Sequence, residues 1–476
     1  QKTEKMSMHP QPEPVSVLAH LVKEEPKPTG LEIAILHIEE DNGGDLDTYP
    51  TNAFAKVGVH LGINGSDLPR LARDFQREYK SLRSLFKAED YCMLDHTEEG
   101  ADLYRENLRP LITRIRDATT CLLLVCPDNS TAWADRRRVV LNLTADENHA
   151  VGIYKEELTF INLLFTQHSK APSSWAYRKW IFGRLIDQFS KPHGVIDTEH
   201  QWTELFERIK EEVRVCISVA EHFPKNYYSW THRNFVSRLA YQTWSTNVLN
   251  AGTGASNSGS HLLFNFLEDE VNRIEPWLMN HVSDHSAAHY GAEVLGLLLT
   301  FGLRDDGYTG DTSLPAQEWG LSLIGNILAS SRTAFEHFQF HEVIWIWRRL
   351  CGCLFLKIID GKLRQGAVTK VSSSYSRAAA QEFTKNEVID LTENFNKQLE
   401  LSKSCFTEDE KRLARKHSAA YSLWIFRQIV LCQCKDVIGD LSEAQGHVHK
   451  LISAMHDDET IVHNIRVYLP ALTKSL

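Results

Sequence analysis

Apolar residues recur at three- and four-residue steps from about Asp67 onward. Leu68, Leu71, Phe75, Tyr79, Leu82 and Leu85 set the pattern, which is that of an amphipathic helix. Residues 1–60 read differently. Pro10, Pro12, Pro14, Pro26 and Pro28 stand among charged side chains, and such a stretch buries too little to order itself. It is expected to be poorly ordered or irregular, apart from Leu31–Ile38, which can pair as a short strand. Two polar stretches interrupt the helical pattern. Residues 245–260 are rich in Gly, Ser, Asn and Thr, and residues 361–385 are basic and Ser-rich; both read as inserts or loops. The expected organisation is an irregular segment over 1–60 and a helical domain over 61–476.

Within the helical part a motif repeats. Trp133-Ala-Asp-Arg136, Trp175-Ala-Tyr-Arg178, Trp230-Thr-His-Arg233, Trp345-Ile-Trp-Arg348 and Trp424-Ile-Phe-Arg427 share Trp-x-x-Arg. Six residues beyond each Trp stands Val139, Ile181, Val236, Cys351 or Val430, always apolar. Upstream of the first three copies runs an apolar helical segment ending in a turn, as in Thr119–Val125 before Pro127-Asp128-Asn129. Each unit therefore reads as helix, turn, helix. Residues three apart share a helix face. The Trp is expected to fill the space between hairpins. The Arg is expected to lie on an aromatic ring or donate to carbonyls of the adjoining turn. The sixth-position residue points about 120° away from the Trp, so the helix is apolar on two sides, as one sandwiched in a stack is.

The Trp-to-Trp intervals are 42, 55, 115 and 79 residues. The longest has room for one more unit, and His281–Leu299 fits it. There Ser286-Ala-Ala288 stands in place of the Trp and Gly291 in place of the Arg, while Val294 keeps the apolar position. The fold class is all-α, with six hairpins of which the fourth is degenerate. Intervals this long and irregular do not fit the 34-residue tetratricopeptide repeat.

Composition narrows the class. The chain has 476 residues, 42% of them hydrophobic, and a net charge of −10. An acidic balance argues against a nucleic-acid surface. The nine cysteines are scattered, with no Cys-x-x-Cys pair, which reads as reduced thiols of a reducing compartment. No signal peptide and no apolar run long enough to span a bilayer stand out, and the closing Thr-Lys-Ser-Leu lacks the Cys of a prenylation signal. A cytoplasmic protein is expected. Asp135-Arg136-Arg137-Arg138 reads as a solvated, interface-forming run. His341-Glu342 lacks the second His of a metalloprotease helix. His281, His285 and His289 stand at four-residue steps beside Asp284. On a helix they share a face and are of the right type for a transition metal; the reading preferred is a set of hydrogen-bonded structural groups at a hairpin corner.

Pro224-Lys-Asn-Tyr-Tyr-Ser-Trp230-Thr-His-Arg233 resembles the Pro-x-Asn-Tyr-x-x-Trp-x-x-Arg repeat of protein prenyltransferase alpha subunits. His281-Val-Ser283-Asp284-His285-Ser286-Ala-Ala-His289-Tyr290 is similar to an element of one branch of that family, the repeat-containing branch. The resemblance covers about residues 100–350 and extends to the last repeat. It implies a right-handed alpha-alpha superhelix, a crescent of hairpins wrapped around a beta subunit that holds zinc and the isoprenoid diphosphate, so that this chain alone binds no cofactor. The branch is similar to the alpha part of a geranylgeranyltransferase that borrows the Rab-type beta subunit and acts on an already farnesylated SNARE protein and on an F-box protein.

Prenyl transfer builds negative charge on departing diphosphate, and cations aimed there lower the barrier. The resemblance places such a Lys five residues before the second repeat Trp, which is Lys170 here. The family's Asn-Tyr after that Lys is replaced by Ala171-Pro172. Lys225 and Tyr227 of the third repeat are weaker candidates. A helical-repeat scaffold that has lost its beta partner is the rival reading.

Overall fold

The computed structural model describes residues 15, 18–19, 32–36, 54–57, 60–92, 98–145, 147–190, 196, 198–251, 259–304, 314–338, 341–360, 374–401, 408–431 and 441–454. Helices dominate it. α1 (Leu68–Cys92) and α2 (Glu98–Val125) are followed by α3 (Ser130–Leu143), α4 (Glu147–His168), α5 (Pro172–Ser190), α6 (Glu199–His222) and α7 (Tyr227–Ala251). Then come α8 (Ser260–Asn272), α9 (Ile274–Asn280), α10 (His285–Gly302), α11 (Ala316–Phe338) and α12 (Glu342–Ile359). α13 (Ser374–Thr384) continues through a π turn (Lys385–Asp390) into α14 (Leu391–Leu401), and α15 (Glu408–Leu431) and α16 (Ser442–Ala454) close the series. The repeat motif sits on α3, α5, α7, α12 and α15, with the degenerate copy on α10. The helical-hairpin repeat fold is therefore present as read from the periodicity.

Contacts divide the chain into two compact units. One comprises residues 1–196 and 214–232, the other residues 197–213 and 233–476. The first also holds a small sheet absent from the all-helical expectation: β1 (Glu32–Leu36), β2 (Phe54–Val57) and β3 (His60–Asn64), in the order β1-β3-β2. β1 runs parallel to β3 with Ile33 opposite Leu61, and β2 runs antiparallel to β3 with Phe54 opposite Ile63. β1 lies within the stretch read as a possible strand; Phe54, Leu61 and Ile63 are buried. Most of residues 1–60 lie outside the described residues.

Other boundaries shift too. α7 runs to Ala251, so the polar stretch 245–260 begins helical, and residues 252–258 lie outside the described residues. At its end Gly259 takes φ +84°, and a Cβ there would lie 2.6 Å from the Trp202 ring, so only glycine suits the position. Residues 374–385 of the second polar stretch are helical, and residues 361–373 lie outside the described residues. On α1, Leu85 is 54% exposed and Phe86 is buried in its place, because the helical period drifts from a strict three- or four-residue step.

The core forms as the motif requires. Val139, Ile181, Val236, Val294 and Cys351 are each 0% exposed. Trp133, Trp175, Trp230 and Trp345 are buried as well. They sit between hairpins: Trp133 lies 4.6 Å from Tyr177 and Trp175 5.3 Å from His232, centroid to centroid. Each of these two indoles also ties down its own turn, for Trp133 Nε1 donates to Pro127 O and Trp175 Nε1 to Ser169 O, both at 2.7 Å.

Candidate functional site at the hairpin turns

The motif arginines hold the hairpins in register. Arg136, Arg178 and Arg348 each reach back twenty residues to a carbonyl: Arg116 O at 3.1 Å, Leu158 O at 3.4 Å and Leu328 O at 2.7 Å. These carbonyls belong to the body of the preceding helix, which corrects the expectation of turn carbonyls. Ser and Thr hydroxyls or an Asn amide stand beside them and complete the guanidinium's hydrogen bonds: Thr120 at 2.8 Å, Asn162 at 2.8 Å and Ser331 at 2.7 Å. The aromatic contact expected of the Arg is also present, with Arg136 4.1 Å over Phe160 and Arg233 4.9 Å over Tyr290.

The principal partners are three buried glutamates. Arg136 pairs with Glu157 (Nε–Oε2 2.6 Å), which also receives Tyr177 OH at 2.8 Å. Arg233 pairs with Glu270 at 2.6 Å, joined by Tyr290 OH at 2.5 Å. Arg348 pairs with Glu387 at 2.7 Å, joined by Tyr421 OH at 2.5 Å. Each time the Arg comes from one hairpin and the Glu and Tyr from the next. Burial pushes the Glu157 carboxyl up, but Arg136 and Arg116 reverse this and leave it below the usual carboxylate value. Burial first, and then the adjacent carboxylate, hold the Tyr177, Tyr290 and Tyr421 phenols well above theirs.

The signs give a pH dependence. The phenols' folded values are raised, so their contribution is complete below about pH 10 and is lost as pH rises through the folded values. The Glu157 contribution is complete above about pH 4.3 and is lost as pH falls through its lowered value. Urea midpoints measured against pH should therefore decline above about pH 10, and Tyr290→Phe should reduce that decline. An alkaline limb identical in Tyr290→Phe, Tyr177→Phe and the parent would contradict the assignment.

The turns carry exposed chemistry. Lys170 and Lys225 are both exposed. Lys170 Nζ donates to the Pro224 carbonyl at 3.4 Å, which sets the two turns side by side. Lys225 takes a left-handed φ of +59°, an uncommon conformation for a side-chain-bearing residue. Asn226 behind it is buried; its amide donates to Ser169 O at 2.9 Å and its Oδ1 accepts from Tyr228 N at 3.1 Å, capping α7. Tyr227 is 62% exposed. Ala171, at the family's Asn position, is buried, and Pro172 starts α5, the helix position that suits proline. The second turn thus lacks the tyrosine of the third.

The branch element has a different role. Asp284 caps α10, accepting from Ala287 N at 3.3 Å, and Trp277 Nε1 donates to its other oxygen at 3.3 Å. His281 stacks on Trp277 at 4.0 Å, and Tyr290 is the buried phenol on Glu270. Ser283, His285 and His289 are exposed and Ser286 is partly buried. Among the described residues no group of three or more His, Cys, Asp or Glu is placed to hold a metal ion. His341 is the N-cap residue of α12 and Glu342 its first helical residue.

The basic run at 135–138 is only half solvated. Asp135 is buried and accepts from Tyr79 OH and Arg83 Nε, both at 2.6 Å, Arg136 is buried, and Arg137 lies 5.5 Å over Trp180. Trp424 is partly exposed, unlike the other four repeat tryptophans, and the Arg427 side chain lies outside the described residues. Among the described residues no helix is long and apolar enough to cross a membrane.

Known proteins resemble this chain where the two turns lie. The protein prenyltransferase alpha subunit repeat matches residues 154–185 and 209–239. Protein prenyltransferase alpha subunit repeat-containing protein 1-A of Xenopus laevis is 26% identical over 326 residues, 63% of this chain and 69% of that protein. Protein prenyltransferase alpha subunit repeat-containing protein 1 of Homo sapiens is 30% identical over 261 residues, 52% of this chain and 57% of its own. Geranylgeranyl transferase type-2 subunit alpha of Homo sapiens is 26% identical over 128 residues, 26% of this chain and 19% of its own.

Proposed function

We propose, from the premise that this chain belongs to the protein prenyltransferase alpha subunit repeat family, that it is the alpha-type subunit of a protein geranylgeranyltransferase. In this reading it pairs with a Rab-type beta subunit, and the complex moves geranylgeranyl from its diphosphate to a substrate cysteine, an already farnesylated SNARE protein among the substrates. Zinc and the isoprenoid diphosphate belong to the beta partner. The observation that carries the reading is the pair of exposed cations, Lys170 and Lys225, on adjacent turns of the two repeats that match the family.

Both ammonium groups stand on turns fixed from behind. Ser169 O accepts from Trp175 Nε1 and from Asn226 Nδ2, so the backbone on either side is held, and Lys170 Nζ is itself steadied by the Pro224 carbonyl. Cations fixed in this way lower a barrier when charge grows on a leaving group, since they need no reorganisation at the moment of transfer. Lys170→Ala should slow the single-turnover rate of the reconstituted complex by about tenfold or more, with heterodimer assembly intact, and Lys225→Ala should add a smaller loss. An unchanged single-turnover rate would remove Lys170 from the site. Failure of the chain to copurify with any prenyltransferase beta subunit from its own cells would instead favour a helical-repeat scaffold.

A further inference from the structure

Outside the turns, one cationic pocket is unclaimed. His289 of α10, Ile346, Arg349 and Leu350 of α12 and Trp424 of α15 line a cavity of about 230 Å³. Three departures from the repeat pattern meet there. His289 is an exposed member of the branch element, whereas Asp284 and Tyr290 of that element are buried in structural roles. Trp424 leaves part of its ring uncovered. Arg349 follows the motif Arg348 directly, is partly buried, and has no ion pair among the described residues, whereas Arg136, Arg233 and Arg348 each hold a glutamate. A guanidinium drawn out of water without a close counter-ion is costly, and beside three motif arginines paired so tightly this one is left open to an external anion.

We infer that this pocket binds a phosphomonoester group, with Arg349 and His289 on the phosphoryl oxygens and the Trp424 ring against the group that carries it. The planar guanidinium fork matches two phosphoryl oxygens, which a compact ammonium would not. The volume admits a phosphoryl group and a small appended moiety, since a water molecule takes roughly 30 Å³. Other charges face Arg349. Burial lowers its pKa first, and Glu342 and Cys353 on its own helix and Tyr421 on α15 oppose that; the His417 imidazole on α15 is the further titratable group that feels Arg349. The inference stands apart from the prenyl-transfer reading and can fail separately from it.

The test is calorimetric titration of the full chain with inorganic phosphate, phenyl phosphate and an N-acetyl phosphoserine amide. Phenyl phosphate should bind more tightly than inorganic phosphate because of Trp424. A phosphoserine amide that binds at least as well as phenyl phosphate identifies a phosphorylated protein segment as the source; the reverse order identifies a free phosphate ester. Arg349→Gln should weaken binding by about tenfold or more, and His289→Gln by less. Both variants should melt within a few degrees of the parent, because Arg349 has no ion pair among the described residues and His289 is exposed. No binding of any probe in the millimolar range, or equal binding by Arg349→Gln and the parent, overturns the inference.

Discussion

Restoring the missing arginine of the fourth repeat should damage the protein. A Cβ at Gly291 would lie 2.7 Å from Ile274 Cγ2 and 2.8 Å from Trp347 Cζ3, closer than carbon atoms approach without displacement. The glycine is the notch into which the second Trp of Trp345-Ile-Trp347 packs, so one repeat's departure from the motif is matched to the next repeat's extra ring. Gly291→Ala should cost about 1–3 kcal/mol by overpacking. Gly291→Arg drives a full guanidinium side chain into the same apolar notch and should cost more than about 3 kcal/mol, seen as loss of soluble expression or a collapsed urea midpoint. The control is Gly183 on α5, where a Cβ would meet nothing within 4 Å. Gly183→Ala should stabilise by roughly 0.5–1 kcal/mol, since helical glycine carries an entropic cost. Equal stability of Gly291→Arg and the parent would show that the notch is not tight.

That pairing of Gly291 with Trp347 marks the limit of what the residue pattern conveys. Trp-x-x-Arg and its sixth-position partner were legible because helix geometry repeats them at fixed offsets, and the hairpins, the buried Trp and the buried apolar position all follow from it. The glutamates were not legible in the same way. From Arg to Glu the separations are 21, 37 and 39 residues, because the helices that carry the Arg, ending at Leu143, Ala251 and Ile359, and the segments that follow them differ in length. A local signal did exist. Glu157 stands in the stripe Tyr154, Ile161, Leu164; Glu270 between Leu267 and Ile274; Glu387 between Phe383 and Leu391, all flanked by buried side chains. An acid at a helical step inside an apolar stripe needs a buried cation, and each motif Arg needed an anion. Of the small sheet only β1 was legible, within Leu31–Ile38; β2 and β3 escaped because they are four and five residues long and set in unpatterned sequence. The exposed lysines carry no periodic signal at all, and only the family resemblance singled them out.

Removing Glu387 alone should be among the most destabilising single changes in the chain. Its two oxygens take Arg348 Nη2 at 2.5 Å, Arg348 Nε at 2.7 Å and Tyr421 OH at 2.5 Å, and Arg348 is 0% exposed. Glu387→Ala leaves a guanidinium in a dry core, where breaking a buried pair costs about 3–5 kcal/mol. Glu387→Gln keeps the shape and a neutral acceptor, and should cost less. The decisive comparison is with Arg348→Met/Glu387→Leu, in which both charges go together. Replacement of a buried pair by apolar groups of similar volume is often close to neutral, so the double variant should recover most of the loss, less the stranded Tyr421 hydroxyl, about 1–3 kcal/mol; the Leu328 carbonyl still accepts from Ser331 Oγ at 3.0 Å. Adding Tyr421→Phe should return part of that remainder. Urea melts of the parent, Arg348→Met, Glu387→Leu and the double variant provide the cycle, with Glu387→Ala, Glu387→Gln and the Tyr421→Phe addition measured beside them. Additive losses in the double variant would mean that the Arg and Glu act independently, and that the repeat's arginine is held by the Leu328 carbonyl and Ser331 hydroxyl instead of the carboxylate.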